Sequence, residues 1–528
     1  MVGERTEIAV VGAGPTGLVL ALWLARRGVA VRIIDAADRP GTMSRALVVH
    51  ARTLELYRQL GIAGDIVAHS VTFATVNLWA RGRHAGRIVF DDIGRGLTPY
   101  PYIVILPQDE HERLLAAALA HAGVEVERAA ELIDFAPVGD VVSLRVRRAG
   151  GAETTLRAAY VVGCDGAHSR VRELIRVGFP GGTYERIYYV ADVAMRGPTA
   201  NQELHLALDD ADFLAVFPLL GEGAARIIGT VRRDAVGDRE LGWDDVSAHA
   251  IARMQLDIER VNWFSTYRVH HRVARHFRSG RIFLAGDAAH VHSPVGGQGM
   301  NTGIGDAVNL AWKLASVVSG EAAPALLDSY EPERIAFARR LVASTDRAFS
   351  LVTRDGAIAR RVRTGLVPRL LPRLGRRRWF RRVMFRAVSQ TDLHYHRSGL
   401  STGRAGRVRA GDRLPWVRSA GDGGPDGDNF TPLRSMDWQL HVYGAASPAL
   451  RRTAVARDLA LHVFPFDAPA AAAGLARDAV YLVRPDGYVA LADRSGRAWP
   501  IIRYFSRRPA RLPLPAGAAG IPEEHALP

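Results

Sequence analysis

The sequence predicts an α/β protein of more than one domain: a parallel-sheet domain, an antiparallel sheet inserted within it, and a smaller C-terminal unit. Three observations carry that expectation. Residues 6–35 read as strand, glycine turn, helix and strand. From about 181 to 271 the pattern changes to alternating, aromatic-rich segments. A final segment of roughly 130 residues then follows a helical, arginine-rich stretch at about 350–397.

Length and composition agree with this. A chain of 528 residues exceeds what one core organises, and 48% hydrophobic with 23% charged side chains excludes a largely disordered chain. The 69 basic against 54 acidic residues give a formal +15, which by itself reads as a nucleic-acid or membrane footprint. Eleven arginines fall between 360 and 386 with no acidic residue among them, so 15 − 11 leaves +4 for the rest. The excess is local, Lys313 is the sole lysine, and no nucleic-acid partner is expected. Cys164 is the sole cysteine, which excludes an intramolecular disulfide, a cysteine-based zinc site and a C-x-x-C redox pair. No signal-peptide pattern opens the chain, and the apolar run 18–25 is too short for a bilayer. A cytoplasmic protein without integral membrane association is therefore expected.

Taken in order, the first element is an apolar strand at 8–11, running into Gly12-Ala13-Gly14-Pro15-Thr16-Gly17 and a helix that ends near Arg27 at the stop signal Gly28. Gly12 permits the tight turn, Gly14 lets the backbone approach a pyrophosphate, and Gly17 allows close helix packing. Pro15 is tolerated at the first helical turn, and the helix N-terminus attracts phosphate charge. Asp35 ends the second strand, 18 residues beyond Gly17, where a carboxylate reaches a ribose hydroxyl. This is a Rossmann-like dinucleotide site. Gly94-Arg95-Gly96 and Gly221-Glu222-Gly223 lack the third glycine and read as turns, so a second dinucleotide would have to bind in another way.

A further αβ unit starts at Asp109, with a helix at 114–122 and strands near 124 and 160–162. The inserted sheet takes 184–195, 204–208 and 213–219, with parts of 72–105. A strand at 281–285 and a helix at 301–318 resume the α/β pattern. The last segment holds strands at 438–443 and 479–483 around a helical piece at 454–462, with a turn cluster at 421–428. The expected domains are 1–180 with 270–350, then 181–269, a helical connector at 351–398, and 399–528.

Two more strand-end motifs carry chemistry. One is Cys164-Asp165-Gly166-Ala167-His168-Ser169-Arg170-Val171-Arg172. The other is Gly286-Asp287-Ala288-Ala289-His290, followed by Ser293-Pro294-Val295-Gly296-Gly297-Gln298-Gly299-Met300-Asn301. Each places a carboxylate, a small-residue turn and a helix start where sugar or phosphate groups are gripped. His290 and His292 supply too few partners for a metal, and no metal site is expected. His50 and Arg52 begin a helix and read as surface or capping residues, His270 and His271 as structural, and Cys164 as a buried small residue. Among the aromatics of the alternating segments, Tyr188, Tyr189, His205, Phe213 and Phe217 compete for the pocket face. Tyr189, His205, Phe217 and Pro218 are the expected substrate wall.

These three motifs, in this order and spacing, resemble the class A flavoprotein monooxygenases of the para-hydroxybenzoate hydroxylase type over about residues 5–350. The last 130 residues or so, above all Tyr481-Leu482-Val483-Arg484-Pro485-Asp486-Gly487-Tyr488-Val489-Ala490, resemble the thioredoxin-like C-terminal domain of the larger members, here without redox cysteines. The resemblance implies FAD as cofactor, NAD(P)H as transient co-substrate, O2 and a small aromatic substrate. It implies hydroxylation of a phenolic or polyketide-like ring through a flavin C4a-hydroperoxide. By the same resemblance Gly12, Gly14, Pro15, Thr16 and Gly17 hold the pyrophosphate, Asp35 the ribose, and Gln108, Asp165, Gly286 and Asp287 other parts of FAD. Gly297, Gly299, Met300 and Asn301 line the flavin ring. Arg45 and Pro294 carry the catalytic assignments, Arg45 accompanying flavin movement and the Pro294 carbonyl lying beside the oxygen-bearing carbon. Independently, backbone amides at the start of the Asn301 helix suit the negative charge of a reduced flavin.

Two rivals stand beside that reading. One is a flavin oxygenase of the same fold performing epoxidation, Baeyer-Villiger insertion or antibiotic inactivation. The other is a flavin-bearing protein that sequesters its ligand. A homodimer is a reasonable assembly. The stretch 360–386, with Leu366, Leu370, Trp379, Val383 and Phe385 among its arginines, allows a membrane-surface helix. Pro368 and Pro372 interrupt the helical period, so packing helices with a solvated basic face are the expectation.

Overall fold

The computed structural model describes residues 4–41, 46–90, 94–207, 213–231, 241–246, 251–252, 254–293, 296–353, 361–418 and 427–507. The chain divides into two compact units. The first comprises Met1–Arg95, Tyr100–Val308 and Arg334–Thr391, the second Gly96–Pro99, Asn309–Glu333 and Asp392–Pro528. These boundaries differ from the expected ones. The inserted sheet and the arginine-rich helices belong to the first unit, and the second begins at 392 and also takes up 309–333.

In the first unit, Glu4–Val11 lies parallel between Glu153–Gly163 and Val31–Ile34, and Glu153–Gly163 pairs in parallel with Ile282–Leu284 on its other side. The helix Pro15–Arg26 is buried continuously from Gly17 to Leu24, as a helix covered on all sides must be. The three chemistry-bearing motifs therefore leave neighbouring parallel strands at one sheet end, which is where open α/β sheets bind ligands.

The second sheet of the unit runs His290–Val291, Asp257–Val273, Gly181–Arg196, Ala224–Val231, Leu214–Pro218, Leu204–Ala207, Thr75–Ala80, Arg83–Val89. It is antiparallel except that Leu204–Ala207 pairs in parallel with Thr75–Ala80. Side chains alternate between its faces. Tyr188, Val190, Leu204 and Ile228 face one cluster, and Tyr189, Ala191, Ala207 and Ile227 the other. The expected connector is not a separate piece. Val367–Gly375 packs on the Arg83–Val89 strand through Pro372, whose Cγ occupies the space a side chain on Gly86 would need, 2.5 Å from an ideal Cβ. Phe385 of the helix Arg378–Val388 sits against Gly94 in the same way, at 2.6 Å.

The second unit carries a sheet ordered Val408–Arg409, Thr402–Ala405, Val489–Asp493, Val480–Val483, Gln439–Tyr443, Ala460–Phe464. The helix expected at 454–462 is corrected. Ser447 caps a helix Pro448–Ala456, Asp458 takes a positive φ of 50°, and Ala460–Phe464 is a strand parallel to Gln439–Tyr443. The Leu-His-Val-Phe run prefers a pleated surface once the helix has stopped. A buried ionic cluster also lies in this unit. Glu333 accepts from Lys313 at 2.9 Å and from both terminal nitrogens of Arg484 at 2.8 and 3.0 Å, and Arg484 also pairs with Asp486 at 2.6 Å. Burial alone would raise the Glu333 carboxyl, but Arg484 and Lys313 hold it well below the carboxylate range. Burial lowers Lys313 to about 8. No helix among the described residues is long and apolar enough to cross a membrane.

Candidate active site

The glycine turn is built by contact. Gly12 has φ 101°, and a Cβ there would lie 2.4 Å from the Cys164 carbonyl oxygen. A Cβ on Gly17 would lie 1.9 Å from the Gly12 carbonyl oxygen, so the helix rests directly on the turn. Gly14 differs from both: nothing lies within 4 Å of its ideal Cβ, and it opens onto a cavity at the helix start. Asp35 accepts from the Ala13 amide at 2.6 Å through Oδ2 and from the Ala37 amide at 2.9 Å through Oδ1. It braces the turn and is not part of the cavity wall.

The third motif locks onto the first. Thr16 Oγ1 is 2.6 Å from where a Gly286 side chain would begin and 2.3 Å from where one on Gly303 would, so all three segments need their small residues. Asp306 holds this corner from inside. Its carboxylate accepts from the Gly286 amide at 3.0 Å, from His290 Nε2 at 2.6 Å and from Arg334 Nε. Burial would raise that carboxyl, but Arg334 and His290 keep it below its ordinary value.

In the second motif, Asp165 accepts from Ser169 Oγ at 2.6 Å and from the Val171 amide at 3.0 Å. Ser169 caps the short helix Arg170–Leu174 by accepting from the Arg172 amide at 3.0 Å, and burial raises the Asp165 pKa. Arg172 donates to the Ala167 carbonyl at 2.7 Å and to the Ala288 carbonyl at 2.9 Å, joining the second and third motifs. Cys164 is buried, and burial pushes its thiol well up, which suits packing and not reactivity.

Residues 296–298 lead into the helix Gly299–Val318. Asn301 organises it. Its Nδ2 donates to the Val48 and Gly297 carbonyls, each at 2.8 Å, and its Oδ1 accepts from the His50 amide at 2.9 Å and Thr53 Oγ1 at 2.7 Å. His50 Nε2 meets the Gly296 carbonyl at 3.0 Å, and burial lowers this imidazole to about 4, so it is a neutral donor. Met300 is backed by a chain of its own, with Sδ 3.3 Å from His111 Nδ1 and His111 Nε2 2.7 Å from the Tyr57 hydroxyl.

Residues of all three motifs border one cavity of about 1580 Å³. Gly14, Pro15, Thr16, Gln108, Asp165 and Asp287 line one part of it. Gly297, Gly299 and Met300 line the middle, and the second sheet contributes Tyr188, Leu206, Phe217 and Tyr267. A single small-molecule site occupies roughly 300–1,000 Å³, so this space holds more than one ligand.

A family model described as an FAD binding domain matches residues 5–345. The chain belongs to this FAD-binding family. It is 37% identical over 523 residues to the 6-methylpretetramide 4-monooxygenase of Streptomyces rimosus, covering 93% of this chain and 92% of the relative. It is 30% identical over 496 residues to the pentachlorophenol 4-monooxygenase of Sphingobium chlorophenolicum, covering 92% and 87%. The anhydrotetracycline hydroxylase OxyS from Streptomyces rimosus superposes with a TM-score of 0.77 at 28% identity, covering 96% of this chain and all of that one. The protein is an FAD-dependent monooxygenase.

The flavoprotein's own residues fit that cofactor. Gly14 leaves bare backbone at a helix N-terminus for a pyrophosphate. Gly299 and Met300 open a second helix onto the same cavity, with amide charge for an electron-rich ring. Ser293 Oγ is fully buried in the cavity wall with no protein partner among the described residues, a position that calls for a polar ligand atom.

Several expected site residues stand elsewhere. Arg45 and Pro294 lie outside the described residues. Gly286 is one residue behind the wall, and Asn301 is buried at 2% exposure with its side chain spent on protein partners, so it positions the wall without forming it. Of the four substrate residues only Phe217 lines the cavity. Tyr189 and His205 face the opposite side of the sheet. Tyr189 stacks on Phe264, and His205 is held by Trp79 Nε1 at 3.0 Å and Asn201 at 2.9 Å. Pro218, the next residue of that strand, is buried and lies outside the lining. The correction is one residue of register: Tyr188, Leu204 and Leu206 take the places assigned to Tyr189 and His205.

Proposed function

We propose that this flavoprotein hydroxylates a planar aromatic ring, of phenolic or polyketide type, with NAD(P)H as reductant and O2 as oxidant. The observation that supports it is the continuity of the 1580 Å³ cavity from Gly14 to the Tyr188, Phe217 and Tyr267 face. When bound, reduced FAD supplies the activation of oxygen for transfer of one atom to the ring. The chain's residues bind, orient and exclude water. Gly12, Gly14, Pro15, Thr16 and Gly17 hold the pyrophosphate, Asp35 braces their turn next to the ribose, and Gln108, Asp165 and Asp287 border the rest of the cofactor. Gly297, Gly299 and Met300 border the ring. Arg45 and Pro294 keep their assigned roles by family resemblance. The aromatic and aliphatic face of the second sheet then orients the substrate and keeps water from the reacting atoms.

The relatives' substrates, a pretetramide and a pentachlorophenol by name, are aromatic rings of very different size. The breadth of the apolar face favours the larger class here. Residues 439–493 run strand, helix, strand, helix and antiparallel hairpin, with one parallel pair beside antiparallel ones. This supports reading the second unit as thioredoxin-like, without thiol chemistry. With its single buried cysteine the protein is suited to the cytoplasm. The test is turnover of purified protein with a panel of phenols and polycyclic phenols. NAD(P)H oxidation stimulated by the ligand, with one atom of labelled O2 in the product, is the expected result. Bound FAD with ligand binding but no stimulated oxidation would replace this reading with sequestration.

A further inference from the structure

The helices Val367–Gly375 and Arg378–Val388 use only part of their surface to pack. Inward, Pro368, Gly375 and Phe385 are buried, and Met384, Phe385 and Val388 border the cavity. Outward, large apolar side chains remain in solvent: Leu366 is 50% exposed, Leu370 43%, Leu374 39%, Trp379 62% and Val383 59%. Their spacing is four residues within each group, 366, 370 and 374, then 379 and 383, so each forms a stripe along a helix side. Scattered exposed apolar residues are ordinary, but ordered stripes of this kind mark a surface that is covered in use.

The charge around the stripes says by what. Seven arginines between 361 and 386 are exposed, and no acidic residue occurs from 356 to 391. A second copy of the same face would bring like charges together. A nucleic acid would satisfy the guanidinium groups yet leave Leu370, Trp379 and Val383 against water or phosphate. We propose that this helix pair docks on an anionic phospholipid membrane surface, the apolar stripes entering the headgroup boundary and the arginines meeting lipid phosphates. Apolar side chains including a tryptophan, flanked by basic ones on a helix lying in the interface plane, are what that environment selects. The same helix Arg378–Val388 borders the cavity, so docking brings the cavity wall within one helix diameter of the acyl chains. Delivery of an apolar substrate by that route rests on the proposed function, whereas the docking itself does not.

The test is flotation of the FAD-loaded full chain with vesicles of phosphatidylcholine alone and of phosphatidylcholine mixed with phosphatidylglycerol, at low and high salt. The expected result is flotation with the phosphatidylglycerol vesicles only, weakened by salt. The double variant Trp379→Ser, Val383→Ser should abolish it. The triple variant Arg376→Gln, Arg377→Gln, Arg382→Gln should weaken partitioning at least ten-fold, since each basic residue near an anionic surface contributes about five-fold. The flavin spectrum, read on every variant, reports that the fold is kept, and NAD(P)H oxidation in the same samples tests the catalytic reading separately. No flotation by the parent chain, or flotation that both variants retain, overturns the proposal. So does salt-sensitive binding to RNA in place of vesicles, with the serine variant still binding.

Discussion

His50 and Asn301 are joined across the chain, the His50 amide donating to Asn301 Oδ1 at 2.9 Å, while the same asparagine holds the Val48 and Gly297 carbonyls through Nδ2. One side chain thus sets the distance between two cavity walls. Replacing Asn301 by Ala strips the partners from four groups, of which the His50 amide and the Thr53 hydroxyl are buried and cost about 1–3 kcal/mol each if left unsatisfied. The expected outcome is FAD affinity lowered about ten-fold or more together with a clear fall in Tm, read by flavin retention on dilution and by thermal unfolding. Unchanged flavin affinity would show that the wall stands without it.

The register of the second sheet gives a paired prediction. Leu206→Trp fills the substrate side of the cavity, so ligand-stimulated NAD(P)H oxidation should fall at least about ten-fold with FAD content unchanged. His205→Leu, one residue away on the other face, should lower Tm through the lost Trp79 and Asn201 contacts and leave KM within about two-fold. Equal effects on KM from both would contradict the face assignment.

Asp306→Asn removes the carboxylate between Arg334 and His290. Breaking a buried pair from one side costs about 3–5 kcal/mol, so a large fall in Tm and weakened FAD binding through the Gly286 turn are expected together. In the second unit, Glu333→Gln leaves Arg484 and Lys313 facing each other without their shared anion. Its cost is of the same order, but flavin binding should survive it. Denaturation followed by flavin absorbance and by tryptophan fluorescence separates the two variants.

Burial also makes a pH prediction. His50 and His292 are lowered to about 4, and His111 and His441 to about 3, from an ordinary 6.5. Their folded values lie below their unfolded ones, so the unfolded chain takes up protons first as pH falls. Their contribution is complete above 6.5 and is lost progressively below it, by up to a few kcal/mol each. Tm should therefore drop steadily from about pH 7 to about pH 5. A flat profile would mean that these rings are open to water.

The glycine turn and the order of the three motifs were legible in the sequence because the constraint is local. Gly12, Gly17 and Gly286 are each required by atoms that the motifs themselves bring close. The supporting shell was not legible. Asn301 finds His50 at a separation of 251 residues, and Asp306 lies inside a helix whose pattern reads only as apolar, so no spacing rule announces either. The pocket face failed for a different reason. Tyr188 and Tyr189 are adjacent and both aromatic, so alternation cannot say which looks inward, and the choice propagates along every paired strand. In the 454–462 segment helix and strand signals abut, separated only by Asp458 in a left-handed turn, so the sequence pattern alone does not show where one ends.

Lys313, enclosed by Glu333 and Asn309 and fully buried, is also the chain's sole lysine. The folded surface consequently carries no ε-amine. Acylating reagents, amine crosslinkers and lysine acetylation have nothing to attack there apart from the α-amino group. A protein this cationic is, to amine chemistry, almost blank. Modification of Lys313 would thus serve as a clock for opening of the second unit, one that runs against a silent background.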